Sequence, residues 1–315
     1  MENKANDTLI VSSAPHLVSE VDTSRIMGTV ILALVPSFFV STYVFGFRVI
    51  TLTLVCIAAC VTLEYLFNKI TKKKQTIGDL SAVVTGMLLA FNVPSNLSYI
   101  IAIIGCFVAI VIVKGLFGGL GQNVANPAIT ARIVLFLSFT TQMTTWPLPR
   151  GQQTADVVTG PTPLGILKGA NGVLPSNTDM FFGFIGGSMG EISAIALLIG
   201  GIFLIWRGII SPIIPVSFIA TVAVIALAAG QDPVFHVMAG GVMIGAFFMA
   251  TDYATSPILP LGKLIFGIGC GCFTMIIRLF GSYPEGVSFA ILLMNIITPH
   301  IDNFCERRIF GGVKS

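Results

Sequence analysis

Ten stretches of this chain are apolar over close to the roughly 20 residues that a helix needs to cross a bilayer. They lie at about 26–45, 48–67, 78–93, 98–117, 126–143, 190–206, 213–230, 234–251, 260–279 and 285–299. This pattern constrains the fold more than any other feature, because backbone at membrane depth must satisfy its own hydrogen bonds, and a chain of this kind does so as helices. Hydrophobic residues make up 55% of the chain and charged residues 10%, against roughly 25% charged in a soluble domain. The reading is an all-α polytopic membrane protein with about ten transmembrane helices. A net charge of +3 without a basic tract argues against nucleic acid as a partner. Residues 1–25 are polar and acidic, unlike a cleavable signal peptide.

Lysine and arginine placement orients the stack. Lys69, Lys72, Lys73 and Lys74 follow the second run, Arg207 the sixth, and Arg307, Arg308 and Lys314 the tenth. With both termini in the cytoplasm these all fall on the cytoplasmic face, and the long loop 144–189 falls outside. The organisation that follows is a cytoplasmic tail (1–25), a first five-helix unit (26–143), an extracytoplasmic loop (144–189), a second five-helix unit (190–300) and a cytoplasmic tail (301–315). The two units carry traces of a repeat. Leu116-Phe117-Gly118 ahead of Gln122 lines up without a gap on Leu279-Phe280-Gly281 ahead of Glu285, and Gly86 pairs with Gly245. An odd number of spans per copy makes the repeat an inverted one.

Charged residues within or beside apolar runs are Glu64, Asp79, Lys114, Arg132, Glu191, Asp252, Lys263, Arg278 and Glu285. A charge deep in the bilayer costs about 2.5–3.5 kcal/mol on insertion scales, so the deep ones should face a site or a partner. Glu64, Lys263 and Arg278 read as end residues that snorkel to the interface. Small polar residues interrupt the apolar runs at Gly121 to Ala128, at Thr251 to Pro257 and at Pro284-Glu285-Gly286. Breaks of this kind expose N–H and C=O groups near the midplane. They make Asn123 and Asn126, with Asp252 and Ser256 from the other half, candidates for a site holding a cofactor or an ion. The six cysteines have no CxxC or Cys/His spacing, so no metal site is expected, and His16, His236 and His300 read as structural. No acid/base or nucleophile constellation and no dinucleotide-binding glycine pattern is present.

In the long loop, Thr162-Pro163 has the form of a helix N-cap and first helical position, where N–H groups left free favour an anion. The surrounding Asp156-Val157-Val158-Thr159-Gly160-Pro161-Thr162-Pro163-Leu164 resembles the motif Asp-x-x-(Ser/Thr)-Gly-x-Thr-x-Leu, on which a transferase attaches FMN to threonine through a phosphoester. Thr159 stands where serine is usual, and Pro161 where alanine is. Further stretches carry the likeness over nearly the whole chain: Ser13-Ala14-Pro15-His16, Asp79 to Gly86, Gly118 to Asn123 with Asn126-Pro127-Ala128, Met249 to Asp252 with Thr255-Ser256-Pro257, and Pro284 to Ala290. The chain is similar to the RnfD/NqrB family, and its short N-terminal tail favours the RnfD branch.

That resemblance implies ten helices in two inverted five-helix repeats, akin to ammonium and urea channels. It implies covalent FMN on Thr162, with Asp156, Thr159, Gly160 and Leu164 completing the motif, and a second, non-covalent flavin (riboflavin or FMN). The implied role is electron relay between ferredoxin and NAD in a bacterial cell-membrane complex that moves Na+ or H+. The implied partners are sibling membrane subunits, a flavin-bearing extracytoplasmic subunit, peripheral iron–sulfur subunits and the FMN transferase. Attachment requires Thr162 on a segment that an enzyme can reach. Two rival readings are an NqrB-type subunit of a sodium-pumping NADH:quinone oxidoreductase and a cofactor-free channel or transporter for a small solute.

Overall fold

The computed structural model describes residues 22–153, 159–281 and 283–306. Each of the ten apolar runs contains helix. Four helices are long and apolar enough to cross a membrane unaided: α1 (Thr23–Phe45), α2 (Phe47–Ile70), and, near the other end of the chain, Pro260–Phe280 and Val287–Cys305. Asp22 starts α1 by accepting the Thr23 N–H at 2.7 Å. Gly46, at φ 90, supplies the left-handed turn into α2.

The runs between these are shorter or broken. α3 (Ser81–Phe91) stops at Asn92, two residues before Pro94. Its 11 residues rise only about 16 Å, roughly half the hydrocarbon core. α4 (Tyr99–Phe107) runs on as a π-helical stretch, Val108–Gly115. α5 (Pro127–Ser138) starts at an asparagine cap with proline at its first position, and is followed by the short α6 (Thr140–Thr144). Next come a two-residue antiparallel pair, β1 (Trp146–Pro147) and β2 (Thr159–Gly160), then α7 (Pro163–Leu167) and α8 (Asn177–Phe182).

α9 (Ala194–Trp206) and α10 (Ile213–Ala228) open the second half. The eighth run is broken into α11 (Pro233–Met238), α12 (Val242–Ile244) and a π-helical stretch, Gly245–Met249. α13 (Pro260–Phe280) and α14 (Val287–Cys305) complete the chain. Within the halves, α2 packs on α3 and α4, α10 on α13, and α13 on α14. Between them, α1 lies along α9 and α5 along α14.

The segment joining α8 to α9 is irregular yet buried. Its backbone is held by the other half: Met189 N–H donates to Val93 O at 3.2 Å and Gly190 N–H to Phe91 O at 2.8 Å. Ser37 donates its hydroxyl to Gly190 O at 3.1 Å, and Ser41 donates to Met189 O. A Cβ on Gly190 would come within 2.4 Å of Phe91 Cβ, so only glycine permits this approach. Irregular backbone at such depth is tolerated where protein supplies the hydrogen bonds.

Candidate functional site

Thr162 is the N-cap of α7. Its Oγ1 accepts the Gly165 N–H at 3.2 Å, and Pro163 occupies the first helical position. The local reading of the sequence therefore holds, although α7 is only five residues long. Its accessibility differs from expectation: Thr162 is 5% exposed. It lines a cavity of about 250 Å³ together with Phe136, Trp146, Tyr283, Pro284 and Glu285. The reason is the β1–β2 pairing, Trp146 with Gly160 and Pro147 with Thr159, which folds the motif inward. Phe136 and Tyr283 meet edge to face at 5.0 Å, and Tyr283 stacks on Phe289 at 6.2 Å.

The other motif residues serve this placement. Gly160 lies so close to Leu148 that a Cβ would approach its Cδ2 to 2.8 Å. Thr159 is exposed. Leu164 is buried, its Cδ1 2.9 Å from where a Cβ on Gly240 would stand. Asp156 lies outside the described residues, as does His16. Lys168, one residue past α7, reaches across to the far wall, donating to Gly281 O at 2.5 Å and Tyr283 O at 2.7 Å. An FMN phosphoester suits this site. Aromatic walls can pack a flavin ring, and the Leu164 N–H, which makes no hydrogen bond among the described residues, is free for a phosphate oxygen.

A second cavity, about 80 Å³, brings together Asn123, Asn126 and Asp252 from the two halves, with Ser81, Lys114 and Thr251. Ser256 does not line it; its N–H donates to Asp252 O at 3.0 Å. Asn126 is committed to structure. Its Oδ1 accepts from Ala128 N–H and Ile129 N–H at 3.0 and 3.3 Å, and its Nδ2 donates to Met249 O at 3.4 Å. Asn123 is different: its buried Oδ1 has no partner among the described residues. Asp252 accepts from the Thr255 hydroxyl at 3.2 Å. About 80 Å³ holds a few waters or a partly hydrated cation.

Five of the charged residues of the apolar runs form two largely buried networks whose pairing the sequence did not reveal. In the first, Arg132 on α5 holds two acids of the second half, Glu191 at 2.8 Å and Glu285 at 2.5 Å. Arg132 also donates to Asn92 Oδ1 at 3.0 Å and to the Ser288 hydroxyl at 3.1 Å. In the second, Lys114 pairs with Glu64 at 2.8 Å and donates to the Ser81 hydroxyl at 2.6 Å, while Thr76 donates to Glu64 at 2.5 Å.

Two expectations are overturned here. Glu64 and Arg278 do not snorkel; each is 4% exposed. Glu64 is drawn inward by Lys114. Arg278 donates to His236 O at 2.6 Å and Ala239 O at 2.7 Å, where the break between α11 and α12 leaves carbonyls free. Lys263 stays half-buried at the start of α13. The available signal was the coexistence of acids and bases in apolar runs, but spacing along the chain does not say which of them meet.

Comparison with known proteins follows the same outline. The NQR2, RnfD, RnfE family matches residues 10–311. The chain is 51% identical over 310 residues to the D-type subunit of the Na(+)-translocating ferredoxin:NAD(+) oxidoreductase complex of Acetobacterium woodii, covering 97% of this chain and 96% of that one. It is 43% identical to the D-type subunit of the proton-translocating ferredoxin:NAD(+) oxidoreductase complex of Clostridium ljungdahlii, with 96% of each chain covered. It is 40% identical to the D-type subunit of the ion-translocating oxidoreductase complex of Stutzerimonas stutzeri, over 91% of this chain and 92% of the relative. Family match, matched length and a helical, membrane-type fold agree: this chain belongs to the NQR2, RnfD, RnfE family.

Proposed function

We propose that this protein is the D-type membrane subunit of an ion-translocating ferredoxin:NAD oxidoreductase complex, and that it carries FMN as a phosphoester on Thr162. The observation that carries the reading is Thr162 itself, capping α7 at the edge of an aromatic-walled cavity of about 250 Å³. Bound there, FMN supplies one- and two-electron relay. The chain's part is to place it: Leu164 against Gly240 and Lys168 against the Gly281 and Tyr283 carbonyls set the motif. Phe136, Trp146 and Tyr283 line the cavity and would exclude water from a ring held there.

The proposal extends to topology and assembly. Both termini are assigned to the cytoplasm and the loop 144–189 to the outside, on the strength of the lysine and arginine bias. Two inverted repeats are supported by matching partners: α1 with α9, α5 with α14, and one broken run in each half beside the interface. The partners are the other Rnf membrane and peripheral subunits, including a flavin-bearing extracytoplasmic one and iron–sulfur ones, with an FMN transferase for maturation. The transported ion is Na+ or H+, since relatives named for each exist. The resemblance also brings a second flavin, and the cavity lined by Asn123, Asn126 and Asp252 is the candidate site for it or for the coupling ion; no step is assigned to it.

The test is peptide mass analysis of protein co-produced with a functional flavin transferase, read beside in-gel fluorescence after denaturation. An FMN adduct on Thr162 is the expected result. An adduct on Thr159 alone would move the site, and complete absence of an adduct would favour a cofactor-free transporter.

A further inference from the structure

Where α2 ends, the chain encloses a third cavity of about 300 Å³ that the flavin reading does not use. Its inner end is the Glu64–Lys114 pair, which neutralises itself. Its outer rim carries Lys73 and Lys74 on one side and the Gly118-Gly119-Leu120 loop on the other. Lys72 adopts a left-handed conformation, φ 55, and the Lys73 N–H closes onto Asn68 O at 2.9 Å. This turn folds the two lysines back over the cavity instead of away from it. Both are exposed, and neither has an acidic partner among the described residues.

The opposite wall is built to donate as well. Gly118 and Gly119 have φ of 116 and 107, and the space beside Gly119 is open. The N–H of Leu120 makes no hydrogen bond among the described residues. Lys73 Nζ lies over the Phe67 ring at 5.6 Å, a contact that leaves its charge unneutralised. Two ammonium groups without an acidic partner among the described residues, in one cavity with a glycine-rich backbone donor, suit a phosphate group. Next in sequence to the lining residues, at the end of a membrane-length helix, stand exposed apolar side chains: Leu66 and Ile70 on α2, and Leu116 and Phe117 ahead of the glycines, each at least 49% exposed. Such a surface suits acyl chains, and a free phosphate compound has no use for it.

We propose that this cavity binds the phosphate-bearing headgroup of an anionic membrane phospholipid. Lys73, Lys74 and the Leu120 N–H hold the phosphate, and the exposed faces of α2 and of Leu116-Phe117 hold the chains. The site does not depend on the flavin, so its success or failure is independent of Thr162 chemistry.

The test uses the whole protein in non-denaturing detergent, stripped of lipid and offered phosphatidylglycerol, phosphatidylcholine or inorganic phosphate, with retained ligand counted by native mass spectrometry. The wild type is expected to retain phosphatidylglycerol at least tenfold over phosphatidylcholine. The double variant Lys73→Gln/Lys74→Gln should lose phosphatidylglycerol by roughly fivefold per lysine, on the order of 20–30-fold in all, with an unchanged melting curve because both positions are exposed. Lys263→Gln should retain it. Equal retention of the two lipids by the wild type, or full retention of phosphatidylglycerol by the double variant, overturns the proposal. Inorganic phosphate that displaces the lipid at equal concentration also overturns it, by reassigning the cavity to a soluble phosphate compound.

Discussion

Glu285 lines the cavity beside Thr162 and at the same time places its Oε2 2.5 Å from Nη2 of Arg132. One carboxylate thus belongs both to the cavity beside Thr162 and to the charged network that joins α5 to residues 191 and 285. Arg132 is the only cation directly paired to Glu191 and Glu285 among the described residues. Its removal leaves the buried Glu191 and the partly buried Glu285 carboxylates unpaired, and losing a partner of a buried pair costs about 3–5 kcal/mol. Arg132→Leu should therefore fold poorly or melt far below wild type in detergent. Glu285→Gln, which keeps a polar partner for the guanidinium, should melt close to wild type.

Thr162→Val removes the only atom of the residue able to carry the phosphoester while keeping size and branching. It also removes the α7 cap, worth about 1 kcal/mol, so the protein should fold with a loosened motif and no covalent fluorescence. Thr162→Ser should keep partial modification. Thr159→Val should leave the adduct intact, because Thr159 is exposed at the β1–β2 pair and lies away from the cavity.

Lys168 ties the motif helix to the wall formed by Gly281 and Tyr283. Lys168→Met keeps the aliphatic stem and loses the hydrogen bonds to Gly281 O and Tyr283 O and the longer one to Ile277 O. At this exposed position the loss should be near the lower end for charged donors, about 1 kcal/mol. Hydrogen exchange in residues 159–168 is expected to accelerate severalfold while α13 is unaffected. Unchanged exchange there would show that Lys168 does not hold the loop.

Gly240 sits at φ 63, with Leu164 Cδ1 and Arg278 Nη2 at 2.9 and 3.2 Å from where a Cβ would be. Gly240→Val combines a left-handed β-branched residue with displacement of the motif's leucine. It should lower the yield of FMN attachment more than it lowers the amount of folded protein, as measured by fluorescence per mole in size-exclusion fractions.

Asp232 caps α11 outside the membrane-length helices, accepting from Asn177 Nδ2 and the Val234 N–H, both at 2.9 Å. The Asn177 hydrogen bond, followed by those from backbone N–H groups, holds its carboxyl below the ordinary carboxylate value. With the folded value depressed, the contribution to stability is present above the unfolded value of about 3.9 and is lost as pH falls through the folded one. Protection of the α11 amides, corrected for the intrinsic exchange rate at each pH, should fall on acidification below about pH 4, and Asp232→Asn should remove that dependence.

Much of the site was legible because it rests on local chemistry. Thr162-Pro163 announces a helix start wherever it stands, and the broken runs around Asn126 and Asp252 follow from proline, glycine and asparagine in apolar sequence. The burial of Thr162 was not legible, since it depends on Trp146 pairing with Gly160 across a loop. The charge networks were hidden for a similar reason. Lys114 finds Glu64 and Arg132 finds Glu191 and Glu285 only after helices distant in sequence have packed. Glu64 lies near one end of its apolar run, where an exposed head is the ordinary outcome, and a lysine from another helix reverses it. Asn123 and Asn126 read alike in the sequence, yet Asn126 caps α5 and Asn123 keeps an oxygen without a partner among the described residues.

The buried length of backbone at Met189 and Gly190 carries a consequence for biogenesis. A ribosome that has released α1 to α5 into the membrane has not yet made the donors that meet Phe91 O and Val93 O, nor the carbonyl that accepts from Ser37. The amino-terminal half is therefore born with an open slot, which water or an insertase must fill until residues 189 and 190 are translated. A nascent chain arrested before that point should remain sensitive to protease and be recognised by membrane quality control. Arrest just beyond it should convert the same helices into a closed, resistant unit.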